Sequence, residues 1–264
     1  MELLTSLILG IIQGLTEFLP VSSSGHLEIG KAIFGNDWSA DESMLMTVVL
    51  HFATALSTIV IFRKEIVTIV KGLFSKEDNE AKNFSFFIVV SMIPAAVVGV
   101  LFDDIIESFF DGKLLLVSLM LIVTGGLLFL ADRAKSSEKK VGIKESILIG
   151  IAQAIAILPG ISRSGATISI SVLLGVDREQ SARFSFLMVV PLIFGKMAKD
   201  ILDGAFNNID GPLINYGVGF LAAFITGIFA CTLMIKLVKK SQLKYFSIYC
   251  FLAAALTLFL INFN

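Results

Sequence analysis

Two short stretches concentrate the residue types that can do chemistry. The first runs Gln13-Gly14-Leu15-Thr16-Glu17-Phe18-Leu19-Pro20-Val21-Ser22-Ser23-Ser24-Gly25-His26 and sets a carboxylate, three consecutive hydroxyls and an imidazole in an otherwise apolar run. The second, Leu158-Pro159-Gly160-Ile161-Ser162-Arg163-Ser164-Gly165-Ala166-Thr167, adds a fixed cation. Hydroxyl, imidazole, carboxylate and guanidinium together suit phosphoryl transfer. Ser23 or Ser24 can attack phosphorus with His26 as base, and Glu17 can orient a water or carry the proton. Arg163 grips phosphate oxygens with its planar fork and, with helix-end amides, offsets charge growing on the equatorial oxygens.

Supporting roles follow from the neighbours. Ser22, Ser24, Ser162 and Ser164 are good cap types and offer hydroxyls to a phosphate, while Gly25 and Gly165 let backbone approach it closely. Gln13 and Glu17 are four apart, hence on one helix face, and form the nearby oxygen pair for a divalent cation of the kind a diphosphate brings. Plainer readings stand beside these. Glu17 and Arg163 can be an internal ion pair with no further role. His26 can be a satisfied core histidine, and the serines can be caps only. His51 serves equally well in a site or in the core, and Arg63 is weaker still.

The elements that must position these residues are membrane elements. Of the 264 residues, 56% are hydrophobic and 16% charged, against about a quarter charged in soluble domains, and the mean hydropathy is +0.88. This is the composition of an all-α polytopic membrane protein. Residues 43–62, 84–102, 113–131, 184–203, 214–237 and 245–263 are each apolar over a membrane-spanning length, roughly 20 residues. Residues 3–34 and 144–175 are also apolar, but each is cut by a Pro-Ser-Gly cluster. Each half, about 14 residues, is too short for a core of ~30 Å at 1.5 Å per residue. Two re-entrant helix–break–helix hairpins are expected there. Broken backbone at membrane depth survives only where protein or a watery cavity satisfies it, and that points to a site. Pro20 and Pro159-Gly160 mark the breaks, with half-helices following from about Gly25 to Phe34 and on to about Leu174. Both starts direct free N–H groups and a positive dipole end at one place, a ready anion site.

Charge sets the orientation. The loops 63–83, 132–146 and 236–244 are rich in Lys and Arg, whereas 103–113 and 204–213 are acidic or nearly uncharged. The positive-inside rule puts the first three in the cytoplasm. Both termini and the opening of the first hairpin then face outward. Arg178 and Arg183 agree with this, and Lys196 and Lys199 run mildly against it. An ungapped internal repeat agrees as well. It pairs Gly10 with Gly150, Ile11 with Ile151, Gln13 with Gln153, Ser22 with Ser162, Ser24 with Ser164, Gly25 with Gly165, Gly35 with Gly175 and Asp37 with Asp177. Each copy, about 1–131 and 141–264 of one membrane domain, is a hairpin plus three spans. That odd parity inverts the second copy. The copies differ where chemistry is expected: Glu17 against Ile157, Ser23 against Arg163, His26 against Ala166.

Other classes are constrained. A net charge of −1 leaves no nucleic-acid footprint. Cys231 and Cys250 lie in apolar spans, with no metal or disulfide spacing. Met1-Glu2-Leu3-Leu4 lacks a basic n-region, so the N-terminal stretch is expected to be kept as structure. An inverted repeat alone equally fits a transporter or lipid flippase. A phosphatidic-acid-phosphatase type with a histidine nucleophile needs a second histidine after the arginine, and none follows Arg163.

Gln13 and Glu17 leading into Pro20-Val21-Ser22-Ser23-Ser24-Gly25-His26 resemble the first signature of the bacterial undecaprenyl-diphosphatase family, the bacitracin-resistance type. The run from Pro159 to Thr167 resembles the second. The likeness extends over the whole chain in length, span count and order. It implies hydrolysis of the terminal phosphate of undecaprenyl diphosphate to undecaprenyl phosphate, recycling the lipid carrier of peptidoglycan synthesis and conferring bacitracin resistance. It implies a catalytic set of Glu17, Ser23, His26, Ser162 and Arg163, dependence on Mg²⁺ or Ca²⁺, and a multi-pass inner-membrane location with the site on the outer face. Some members have Glu where this chain has Gln13. The implied partners are a polyprenyl diphosphate lipid and the membrane. The oligomeric state, a homodimer included, is open.

Overall fold

The computed structural model describes residues 2–34, 40–75, 79–102, 105–106, 108–109, 113–135, 137–202 and 212–263. Eleven α-helices are described: α1 Leu3–Phe18, α2 Ser23–Phe34, α3 Ala40–Ile61, α4 Arg63–Phe74, α5 Asn79–Leu101, α6 Leu114–Asp132, α7 Ile143–Ile155, α8 Arg163–Leu173, α9 Arg178–Leu202, α10 Leu213–Lys239 and α11 Lys244–Phe263. Six of them, α3, α5, α6, α9, α10 and α11, are long and apolar enough to cross a membrane. They coincide with the six spans read from the sequence. The two hairpins are present as α1–α2 and α7–α8.

Each hairpin breaks for a local reason. A proline disfavours helix in the residue before it, and α1 ends at Phe18 with Leu19 extended just ahead of Pro20. In the second hairpin the turn needs Gly160 at φ 97°, a conformation that costs glycine little. A Cβ there would also meet the Val117 carbonyl at 2.4 Å. The Gly160 carbonyl accepts from Thr124 Oγ1 at 3.1 Å, so backbone freed by the break is satisfied inside the protein, as membrane depth demands.

Corresponding helices of the two copies pack on corresponding partners. The first hairpin lays α1 along α10, and the second lays α7 along α5. Small residues make both seams close. A Cβ on Gly14 would sit 2.0 Å from Thr226 Oγ1 and 2.5 Å from the Ala223 carbonyl, and one on Gly150 would sit 2.6 Å from the Ser91 carbonyl. In lipid, helices associate through such close contact, because burying apolar surface gains nothing there. At the centre, Phe18, Leu121, Phe186 and Met234 lock the hairpins to the spans. Large apolar side chains such as Val89, Leu115, Ile225 and Leu252 cover the outside.

Ion pairs tie the basic segments together at one end of the bundle. Lys140 pairs with Glu80 at 2.6 Å, Lys139 with Glu145 at 2.8 Å, Arg183 with Glu65 at 3.3 Å and Lys239 with Glu179 at 2.6 Å. The hydrogen bond from Lys139 holds the Glu145 carboxyl below the usual carboxylate range. Arg178 is buried and donates through Nη2 to the carbonyls of Ala131, Asp132 and Ala134, closing the end of α6. One expectation changes here. The basic stretch 63–83 is read from sequence as a loop, yet it holds the helix α4. Ile66 and Ile69 pack on the core and Gly72 is buried, while Lys64 and Lys71 stay exposed, which is the period of an amphipathic helix.

Gly14→Ala should lower the melting temperature of the detergent-solubilised protein, because overpacking a tight contact costs ~1–3 kcal/mol. Gly99→Ala, with nothing within 4 Å of its added Cβ, should leave it unchanged. Equal behaviour of the two variants would show that the α1–α10 seam tolerates expansion.

Candidate functional site

The two hairpins meet at their breaks. A Cβ on Gly165 would lie 3.2 Å from Pro20 Cβ, and one on Gly25 would lie 3.1 Å from Gly160 Cα. Each break is closed by the same device. Gly25 N–H donates to Ser22 Oγ at 3.2 Å, and Gly165 N–H donates to Ser162 Oγ at 3.0 Å. Ser22 and Ser24 hydroxyls are 3.4 Å apart, and those of Ser162 and Ser164 are 3.3 Å apart. Ser162 N–H is also fixed by Thr124 Oγ1 at 3.1 Å. Ser22, Ser162 and Ser164 are buried. The hydroxyls of Ser22 and Ser162 cap the half-helices, which is the plainer of the two roles open to them, while that of Ser164 meets the Ser162 hydroxyl. Ser22 caps at φ 71°, a conformation uncommon for a residue with a side chain.

Capping fixes which residues come first in each half-helix. Ser23 opens α2 and Arg163 opens α8. They occupy equivalent places in the repeat, and they converge on one carboxylate. Ser23 Oγ donates to Glu17 Oε2 at 3.0 Å, and Arg163 Nη2 donates to Glu17 Oε1 in a buried salt bridge. Gln13 Nε2 adds a bond to Oε2 at 2.9 Å. His51 Nδ1 is held by the Thr47 carbonyl at 2.8 Å, which leaves Nε2 at 3.8 Å from Glu17 Oε2. The Arg163 guanidinium also reaches the Ser185 carbonyl at 3.5 Å through Nη1. The Ser185 hydroxyl meets Thr167 Oγ1 at 2.7 Å.

Gln13, Glu17, Ser23, Arg163 and His51 thus form one cluster at the starts of two helices. His51 belongs to it. His26 is oriented differently from the sequence expectation: it is not bonded to Ser23. Its Nδ1 lies 2.8 Å from the Ser22 carbonyl and its Nε2 lies 2.7 Å from the Tyr249 hydroxyl. The hydrogen-bond acceptor standing at Ser23 is the Glu17 carboxylate. Ser185 and Tyr249 are further site residues that no motif singles out. Ser185 lies two residues after Arg183 in α9 and Tyr249 two residues after Ser247 in α11, and polar residues in membrane helices usually face protein or a cavity. That was the available signal.

A divalent cation is not matched by these donors. Gln13 Oε1 is buried without a hydrogen-bond partner, which offers one ligand. Both oxygens of Glu17, however, are engaged by Arg163, Gln13 and Ser23. Among the described residues no group of three or more His, Cys, Asp or Glu gathers anywhere. Ca²⁺ takes six to eight oxygens and Mg²⁺ an octahedral set, so the paired Gln13 and Glu17 do not make a protein cage for either.

A family described as bacitracin resistance protein BacA matches residues 6–256. A protein of Christiangramia forsetii named undecaprenyl-diphosphatase is 57% identical over 251 residues, 95% of each chain. One of Bacteroides fragilis with the same name is 47% identical over 262 residues, 98% of each chain. One of Methanococcus vannielii, again so named, is 41% identical over 263 residues, covering 97% of this chain and 99% of that one.

Breaking a buried ion pair from one side strands a charge and costs about 3–5 kcal/mol, whereas replacing both partners with uncharged groups of similar volume is far milder. Arg163→Ala should therefore lower thermal stability markedly, and the double variant Glu17→Gln/Arg163→Met should recover most of the loss. Equal losses in the two proteins would mean that the pair is not what holds the hairpins together.

Proposed function

The chain belongs to the bacitracin resistance protein BacA family, and from that premise we propose that it is an undecaprenyl-diphosphatase that hydrolyses the terminal phosphate of undecaprenyl diphosphate and returns undecaprenyl phosphate to cell-wall synthesis. The observation that carries the reading is the convergence of Ser23 and Arg163 on the buried Glu17 carboxylate. A hydroxyl, a proton acceptor and a bidentate cation stand together where two half-helices begin. A structural hairpin needs none of them.

The roles follow from that geometry. The starts of α2 and α8 present a positive end and free amides, and the arriving terminal phosphate takes its place there against Arg163. Ser23 Oγ attacks the terminal phosphorus, a Ser23–phosphorus bond forms, and the bond to the bridging oxygen breaks. Polyprenyl phosphate leaves with that oxygen. The Ser23 proton passes to Glu17, its hydrogen-bond acceptor. Water then attacks the phosphoserine and gives its proton to His26, while Glu17 returns the first proton to Ser23 as inorganic phosphate departs. Arg163 and the amides oppose charge on the equatorial oxygens throughout. Ser23 and His26 are three apart on α2 and so share one face, which suits successive action on one phosphorus.

The basic end of the bundle supports a cytoplasmic location for 63–83, 132–146 and 236–244 by the positive-inside rule. Both termini, and the mouth of the site, then face the outer side of the inner membrane. A flippase built on the same broken helices would bind the lipid and release no phosphate.

Purified protein in detergent should release inorganic phosphate from undecaprenyl diphosphate. Ser23→Ala and Arg163→Lys should each reduce the rate by at least about 100-fold. No release by the wild-type protein overturns the phosphatase reading, and full activity in the lysine variant excludes bidentate gripping.

A further inference from the structure

The contact between His26 and Tyr249 joins residues 223 positions apart in the chain. Their rings lie nearly parallel, 15° between planes with centroids 5.6 Å apart, and the Tyr249 hydroxyl is 2.7 Å from Nε2. Behind the imidazole, Nδ1 is 2.8 Å from the Ser22 carbonyl. A carbonyl only accepts, so Nδ1 carries the proton of the neutral ring. Nε2 is then a lone-pair acceptor, and the phenol donates to it. The backbone carbonyl on one side and the phenol on the other set both the tautomer and the tilt of the ring. Ser22, which supplies that carbonyl, holds φ 71° and is itself buried at the cap, so the rear contact is rigid. Tyr249 lies on the exposed side of α11, and its hydroxyl points at the ring in a bond that is itself exposed.

We propose that Tyr249 positions His26 and links it to water: its hydroxyl, donating to Nε2, helps hold the ring as the Nδ1–H tautomer, and it hands its own proton to Nε2 as the phenol oxygen takes one from water, so that it accepts from Nε2–H once the ring is protonated. A hydroxyl serves both states because it donates and accepts. Phenylalanine keeps the ring contact and loses both bonds. The catalytic consequence rests on the phosphatase reading, in which water gives its proton to His26 as it attacks the phosphoserine. The orientation of His26 does not.

Two measurements separate those levels. The chain has two histidines, so a His51→Gln protein labelled with ¹⁵N at its imidazole nitrogens reports His26 alone. With Tyr249 present the spectrum should show one tautomer, protonated at Nδ1. In the added Tyr249→Phe variant the Nε2 resonance should move as its hydrogen bond is lost, while Nδ1 stays protonated against the Ser22 carbonyl. Superimposable spectra overturn the proposal, whether or not the protein hydrolyses any lipid. In the second measurement, phosphate release in the wild-type background should fall about tenfold in kcat on Tyr249→Phe, with KM within about twofold and melting temperature unchanged, a fraction of what a general base contributes. In a His26→Ala background the same substitution should have no further effect. A second loss of the same size in that background would show that Tyr249 acts independently of His26, and would likewise overturn the proposal.

Discussion

The arrangement depends on one buried ion pair between the two hairpins. Glu17 comes from the end of α1 and Arg163 from the first residue of α8, and neither reaches water freely. An isolated charge at membrane depth is expensive, so each requires the other. That mutual requirement restricts how the hairpins can pack: any slip of one break past the other strands both charges. The same carboxylate collects the Ser23 hydroxyl and the Gln13 amide. The pair therefore fixes the scaffold and the geometry of the hydroxyl, amide and carboxylate around it in a single contact.

Symmetry and asymmetry divide the work. Serine caps, close glycine contacts at the breaks and small-residue seams recur in both copies at equivalent positions, because both face the same problem of breaking a helix inside a membrane. The equivalent first residues of the half-helices differ, Ser23 in one copy and Arg163 in the other. Glu17 has Ile157 as its counterpart and His26 has Ala166. Two identical breaks would bring like groups together at the centre. The divergence puts a hydroxyl, a carboxylate and a cation there instead.

Much of this was legible in the chain. Span length, the Pro and Gly breaks and the serine caps are local signals, and they yield six spans, two hairpins and the half-helix starts with little error. The meeting of the two motifs was legible through the repeat. Three features were not. The helix α4 lies in a basic stretch whose amphipathic period is only three contacts long, so charge masks it. The pairing of Ser23 with Glu17 rather than His26 depends on side-chain direction at a helix start, which residue spacing does not encode. Tyr249 and Ser185 reach the site from α11 and α9, and a polar residue in a span announces that it faces something without saying what. Long-range partners of that kind are set by packing.

On the proposed mechanism, the ion pair also bears on how chemistry can begin. With Arg163 on its carboxylate, Glu17 is charge-compensated and competes poorly for the proton of a serine. The terminal phosphate of a lipid diphosphate is the stronger attraction for a guanidinium, carrying more charge and an oxygen spacing that the fork matches. When Arg163 turns to it, the cation moves from the proton acceptor to the electrophile in one step. The carboxylate loses its partner when a proton would restore neutrality, and the phosphate oxygens gain a cation that offsets their charge when attack requires it. Water arriving alone supplies no anion to draw the arginine away. On this account the contact that holds the hairpins together also keeps Ser23 quiet until a phosphate is present.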